Sequence, residues 1–149
     1  MSSAPIRSAE AGDLNRMCEF AEELLHKWDA RATAQDARRV YEQILATPEL
    51  GVILVAENDG RVCGFAYASY QWRSEYGGET LGLVEMFVEH SSRNRGVGHE
   101  LLQGLVELAR SRGIRRFTSQ VHPGNAVIEH ALETCGFDPE RRTLWAFHL

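Results

Sequence analysis

Only three cysteines occur in the 149 residues, Cys18, Cys63 and Cys135, far apart and never in a Cys-x-x-Cys pair. That spacing indicates neither a disulfide framework nor a zinc site, and a reduced, cytoplasmic setting is the expectation. Long apolar runs are missing too. The longest lies around Val52–Ala56, and the opening MSSAPIRSAE lacks the apolar core of a signal peptide, so membrane insertion is not expected. Positive charge is not in excess: the formal charge of −5 argues against a nucleic-acid partner and is compatible with a cationic substrate. There is no repeat, low-complexity tract or linker. Residues 1–149 are therefore expected to form a single domain, long enough to bury a core unaided.

What is present reads as alternating strands and helices. Pro5–Ala9 is a short first strand. Leu14, Met17, Phe20, Ala21, Leu24, Leu25 and Trp28 recur at three and four, one buried helical face. Thr33-Ala-Gln-Asp36 is a capping-box variant that opens a second helix, with the stripe Ala37, Val40, Tyr41, Ile44, Leu45 and a stop at Pro48. Val52–Glu57 and Arg61–Tyr70 flank the hairpin turn Asn58-Asp59-Gly60, and Gly64 suits a bulge or close approach. The polar stretch Gln71–Thr80 reads as a connection into the strand Leu81–Val88. A third helix follows and ends at Gly113, then a strand Phe117–Val121, a helix Ala126–Thr134 and a terminal strand Thr143–Leu149. The fold class is mixed α/β.

The segment Arg93-Asn94-Arg95-Gly96-Val97-Gly98 joins an apolar strand to a helix. Glycines at 96 and 98 let an anion approach the backbone, and loop amides with the helix dipole favour negative charge. Arg93 and Arg95 suit phosphate oxygens. A tight turn carrying solvated arginines fits the same residues. The Gly-Lys-Ser/Thr of the Walker loop is absent, and the dinucleotide fingerprint fails at Leu101.

Arg-x-x-Gly-x-Gly, five residues past the strand end at Val88, resembles the acyl-CoA loop of the GNAT N-acetyltransferase superfamily. A second segment is similar to that family's Asn-x-x-Ala…Tyr…Gly-Phe: Asn125, with Gly136-Phe137 eleven and twelve residues later. The element order, β-α-α-β-β-β-α-β-α-β, resembles the family over nearly the whole chain. The resemblance implies a central, twisted, mostly antiparallel mixed sheet flanked by about four helices. It also implies transfer of an acetyl group from acetyl-CoA, with no metal. On it, Met86, Phe87 and Val88 would meet the pantetheine arm. Arg93, Asn94, Arg95, Gly96, Val97, Gly98 and His99 would surround the pyrophosphate, and Asn125 would contact the cofactor near its reactive end. Plain core strand and helix cap are the ordinary readings of Met86–Val88 and Asn125. Asn94 stands where the family often has glycine, and Leu132 where it has the tyrosine that protonates the leaving thiolate.

An amine must lose a proton before attack, since its pKa is near 10.4. Glu85 is the only ionisable side chain inside Leu81–Val88, and a carboxylate there is costly unless paired, solvated or used. It is the candidate general base; a structural ion pair is the alternative. Tyr70, Tyr76 and His122 are candidate donors in place of the missing tyrosine. The acceptor pocket is expected between the first two helices and 71–80, with Trp28, Trp72 and Tyr76 offering aromatic faces to a cationic small-molecule amine. A protein lysine or N-terminal acetyltransferase and a catalytically silent acyl-CoA module compete with that reading. A homodimer is compatible with the sequence.

Overall fold

The computed structural model describes residues 4–122 and 124–149. In chain order the elements are β1 (Ile6–Ser8), α1 (Leu14–Lys27), α2 (Ala34–Ala46), β2 (Gly51–Asn58), β3 (Arg61–Arg73), β4 (Gly78–Val88), α3 (Val97–Arg112), β5 (Arg116–Ser119) and α4 (Ala126–Thr134). The strands form one sheet in the order β1-β2-β3-β4-β5. Every pairing is antiparallel except the β4–β5 pair, which is parallel.

Strand alternation divides the core in two. Ile53, Val55, Phe65 and Tyr67 turn to the face covered by α1 and α2, where Met17, Phe20, Tyr41 and Ile44 close over them. Leu54, Ala56, Ala66 and Ala68 turn to the other face, under Leu101, Leu102 and Leu105 of α3 and Leu132 of α4. The alanines on that face let α3 lie close to the sheet. Local signals behave as expected. Thr33 caps α2, its Oγ1 accepting from the Asp36 amide at 3.2 Å, with Asp36 returning the bond to the Thr33 amide. The β2–β3 turn places Asp59 and Gly60 at φ 54° and 74°. Gly64 is a close-approach site: a Cβ there would lie 2.8 Å from the Phe87 carbonyl oxygen.

Two sequence expectations are corrected. Residues 71–80 are not a long connection. β3 runs to Arg73, one 3-10 turn spans Ser74–Tyr76, and β4 starts at Gly78, so most of the stretch is a two-stranded ribbon. Thr143–Leu149 is not a strand. It alternates but has no ladder partner among the described residues and is exposed throughout.

Arg7 ties β1 to the start of α1. Its Nη1 lies 2.8 Å from Asp13 Oδ2 and its Nη2 donates to Oδ1 at 2.9 Å. The Arg7 hydrogen bonds hold the nearly buried Asp13 carboxyl below the usual carboxylate range, against burial. A carboxyl with a depressed folded pKa stabilises the fold above its unfolded pKa of about 3.9 and loses that contribution as pH falls through the folded value. Arg7→Met should therefore cost about 1–3 kcal/mol near neutrality. Chemical denaturation of both proteins across pH 2–7 checks this: the gap between them should shrink as the solution is acidified.

Candidate active site

β4 is bonded to β3 from Gly78 to Val88 but to β5 only from Thr80 to Leu83. Past Leu83 the β4–β5 ladder ends with β5 itself at Ser119, and the β5-side edge of residues 84–88 has no strand partner among the described residues. A bulge marks that point: Ala68 pairs with Leu83 and Tyr67 with Glu85, leaving Val84 as the extra residue. Unbroken alternation would put 83 and 85 on one face. The bulge absorbs a residue, so Leu83 packs with the α3–α4 core while Glu85 reaches α2.

There the Tyr41 hydroxyl donates to Glu85 Oε2 at 3.0 Å. Tyr41 is fully buried, edge-on to Phe65 and Tyr67. Burial pushes the Glu85 carboxyl above the ordinary range, and the Tyr41 hydrogen bond opposes that shift. Among the described residues no cation pairs with Glu85, so the structural ion pair weighed from sequence is not formed. The result is a partly desolvated carboxyl, held from one side, beside an open strand edge.

The turn after β4 is fixed from α1. Arg16 bonds Glu89 and donates from Nε to the Val62 carbonyl at 3.0 Å. Asn94 and Gly96 then take left-handed conformations, φ 64° and 79°. Gly96 caps α3, whose first internal bond runs from the Glu100 amide to the Gly96 carbonyl at 2.9 Å. No backbone acceptor among the described residues bonds the amides of 94–99. Left-handed turns followed by a helix N-terminus make a concave set of donors, the geometry that binds phosphate. Gly98 keeps it shallow: a Cβ there would meet Met86 Cε at 3.5 Å.

Residues 14–137 match the family described as Acetyltransferase (GNAT) family. The chain belongs to that family. It is an acetyl-CoA-dependent N-acetyltransferase. An L-methionine sulfoximine/L-methionine sulfone acetyltransferase of Pseudomonas aeruginosa is 28% identical over 143 residues, 91% of this chain and 81% of that protein. An aminoglycoside N(6')-acetyltransferase type 1 of Salmonella typhimurium is 28% identical over 107 residues, covering 70% of this chain and 73% of its own. Among solved structures, the aminoglycoside N-acetyltransferase AAC(6')-Iy in complex with CoA superposes with a TM-score of 0.82 at 22% identity, over 99% of this chain and 96% of that one. At that identity the likeness bears on the fold.

In this GNAT chain the unbonded amides of 94–99 and the free edge of 84–88 fit a pyrophosphate and an amide-bearing arm. Of the residues named from sequence, Met86 and Val88 lie beside Gly98, Val97 is buried in the α3–α4 core, and His99 turns to α4, its Nδ1 3.1 Å from Thr134 Oγ1. Arg93 is turned inward: Nε donates to the Val88 carbonyl at 2.8 Å, and the guanidinium lies 5.4 Å from the Phe87 ring centroid. It braces the loop and leaves Arg95 as the exposed arginine of the turn. Asn125 is a helix cap, its Oδ1 accepting from the Ile128 amide at 3.3 Å. Trp28 is partly buried against the α1–α2 core and stacks on His122, ring centroids 5.0 Å apart. His122 lies just past β5, at the end where its ladder to β4 stops.

Trp72 and Tyr76 lie elsewhere. Trp72 pairs with Glu79, six residues before Glu85, which is about 20 Å along a strand at roughly 3.3 Å per residue. Trp72 is 76% exposed there. Tyr76, at the ribbon's tip, is surrounded by Arg73, Arg116 and Arg142. Neither lies near Glu85, because the polar stretch that reads as a loop in sequence is a ribbon that carries both away. Tyr70 likewise carries Arg112, 3.8 Å from its ring centroid, away from Glu85. Sequence reasoning missed Tyr41 as the partner of Glu85. Its ring sits on an ordinary helical stripe, and 44 residues separate the two.

A Cβ at Gly98 would only touch Met86, at an ordinary 3.5 Å, so Gly98→Val should add its bulk beside the 94–99 amides without disturbing the fold. CoA affinity by calorimetry should fall at least about tenfold, or roughly 1.4 kcal/mol, with an unchanged far-ultraviolet spectrum.

Proposed function

We propose that this protein N-acetylates a small-molecule amine by direct attack on acetyl-CoA, with Glu85 as the general base. The observation that carries this is the Glu85 carboxyl: partly buried, raised in pKa, held by Tyr41 and lying beside the unpaired edge of β4. A carboxyl with an elevated pKa is a better proton acceptor near neutrality than an ordinary one. Acetyl-CoA supplies an activated thioester when bound. The amides of 94–99 and Arg95 hold its phosphates, and the 84–88 edge orients the arm. Glu85 takes the ammonium proton directly or through water, and an amide of the same edge polarises the acyl oxygen. Trp28 and His122 wall the acceptor side.

Small amines are favoured as acceptors because relatives bearing this domain are named for methionine sulfoximine, methionine sulfone and aminoglycosides. Tyr76-Gly77-Gly78, the glycine-bearing stretch open enough for a peptide, sits at the far end of the ribbon from Glu85. The silent-module reading is set aside by membership of the acetyltransferase family; Leu132, apolar and buried in α4, leaves only the source of the thiolate's proton to be found.

Thiol release from acetyl-CoA, measured against amino-acid analogues, aminoglycosides and lysyl peptides, decides between small-molecule and protein acceptors. Turnover is expected on small amines. Turnover only on peptides supports the protein acetyltransferase.

Glu85→Gln should lower kcat/KM about 10²–10³-fold and erase the acidic limb of its pH profile. An unchanged profile sinks the base assignment. The Tyr41 hydrogen bond lowers the Glu85 pKa, so Tyr41→Phe should move the same limb to higher pH. A merely structural Tyr41 would reduce the amount of folded enzyme without moving the limb.

A further inference from the structure

On the reading of Glu85 as the general base, we propose that the Tyr67 hydroxyl is a second contact for the acceptor's nitrogen, holding one N–H beside Glu85 and selecting primary over secondary amines.

Tyr67 lies opposite Glu85 in the β3–β4 ladder. Residues opposed across antiparallel strands share a face, with Cβ atoms about 4.5–5.5 Å apart. Tyr41 stands over both. Its hydroxyl bonds Glu85 Oε2 at 3.0 Å, and its ring meets the Tyr67 ring edge-on, centroids 6.2 Å apart. The three side chains therefore form one cluster on the α1–α2 face of the sheet.

The two hydroxyls differ. That of Tyr41 is engaged by Glu85 inside a wholly buried side chain. Tyr67 is 8% exposed, and its hydroxyl bonds no group among the described residues. The sealed side-chain polar atoms without a partner are Arg116 Nε and Ser119 Oγ, so the Tyr67 hydroxyl keeps its contact with the outside. A side chain more than nine-tenths buried, with its polar end unpaired and reachable, is set to meet something that enters. Burial, and the Glu85 charge beside it, raise the hydroxyl's pKa, so it stays neutral and offers a lone pair to an N–H.

The protons on nitrogen give that contact its selectivity. A primary ammonium has three. One passes to Glu85 and frees the electron pair that forms the C–N bond. The C–S bond breaks with its pair left on sulfur, and a second proton, lost from nitrogen as the amide forms, neutralises that thiolate directly or through water. The third remains as the amide N–H, and Tyr67 holds it from binding to product. A secondary ammonium has two protons and gives up both. Its extra carbon would lie against the hydroxyl and leave it unpaired, and a site built to bond an N–H rejects the analogue that lacks it.

Each small primary amine of the acceptor panel is compared with its N-methyl counterpart by thiol release, in the full chain and in Tyr67→Phe. The unaltered enzyme should favour the primary amine about 10–100-fold in kcat/KM. In Tyr67→Phe the primary amine should lose about tenfold, and the preference should shrink to within about threefold. Tyr67 makes no bond to Glu85, so the acidic limb that Glu85→Gln erases should stay in place. The lost hydroxyl has no partner in the free protein, so the melting temperature should hold or rise. An unaltered enzyme without the preference overturns the proposal. So does a Tyr67→Phe enzyme that keeps it, even at a lower rate, because a structural role would slow both amines alike. Either result leaves the Glu85 assignment standing if its limb persists, whereas no turnover on any small amine overturns the acceptor reading and this proposal with it.

Discussion

The site depends on β4 keeping one neighbour and losing the other. Its ladder to β3 spans eleven residues with one bulge, which fixes its position, while its ladder to β5 lasts four. Every functional element follows from that asymmetry. The bulge at Val84 lies where the second ladder stops, and it carries Glu85 from the helix-packed α3–α4 face to the α2 face. The unpaired edge beyond it would be a liability in a closed core, since buried amides and carbonyls must be satisfied. Here it has no strand partner among the described residues, so water or a ligand's own amides can satisfy it. The loop after β4 repeats the pattern on a smaller scale, its left-handed residues leaving the amides of 94–99 without backbone acceptors among the described residues.

Glu85 and Tyr41 form a pair whose members need each other. Tyr41 is wholly buried, and its hydroxyl has Glu85 as its hydrogen-bond partner. A hydroxyl donates to a carboxylate and accepts from a carboxylic acid, so the contact survives proton transfer in either direction. Desolvation raises the carboxyl's pKa and the hydroxyl restrains it. A bidentate arginine in the same place would have driven the carboxyl well down and made it a poor base. The neutral partner leaves a group that is positioned and whose pKa stays above the ordinary carboxylate range.

The helices were legible in sequence because apolar residues at three and four, caps such as Thr33 and stops such as Gly113 are local signals. The β2–β3 hairpin was legible for the same reason. The ribbon of residues 71–80 was not: its strands have solvent on both sides, so the alternation that marks a half-buried strand is absent. Thr143–Leu149 failed in the opposite sense. It carries the alternation and lacks the partner, and strand formation is a property of two segments. The loop's phosphate geometry could be read from its glycines, while the fate of Arg93 could not, because its acceptor is the Val88 carbonyl at the end of the preceding strand. Tyr41 looked like core and is core; only the fold shows that its hydroxyl meets a carboxyl.

Leu132 tests how much a single missing group matters. An alkylammonium with a pKa near 10.4 must give up its proton at pH 7 against a gap of about 3.4 units, or roughly 4.6 kcal/mol. A departing thiolate, with a pKa near 8.5, is only about 1.5 units above neutrality, roughly 2 kcal/mol, and can take its proton from water after the bond has broken. The larger gap is on the acceptor side, where this chain has Glu85 and Tyr41. The smaller one is on the leaving side, where it has a leucine packed into α4. On the proposed assignment, a chain that keeps the base and forgoes the acid gives up the lesser of the two terms, so Leu132 is compatible with turnover, whereas Glu85→Gln removes the larger one.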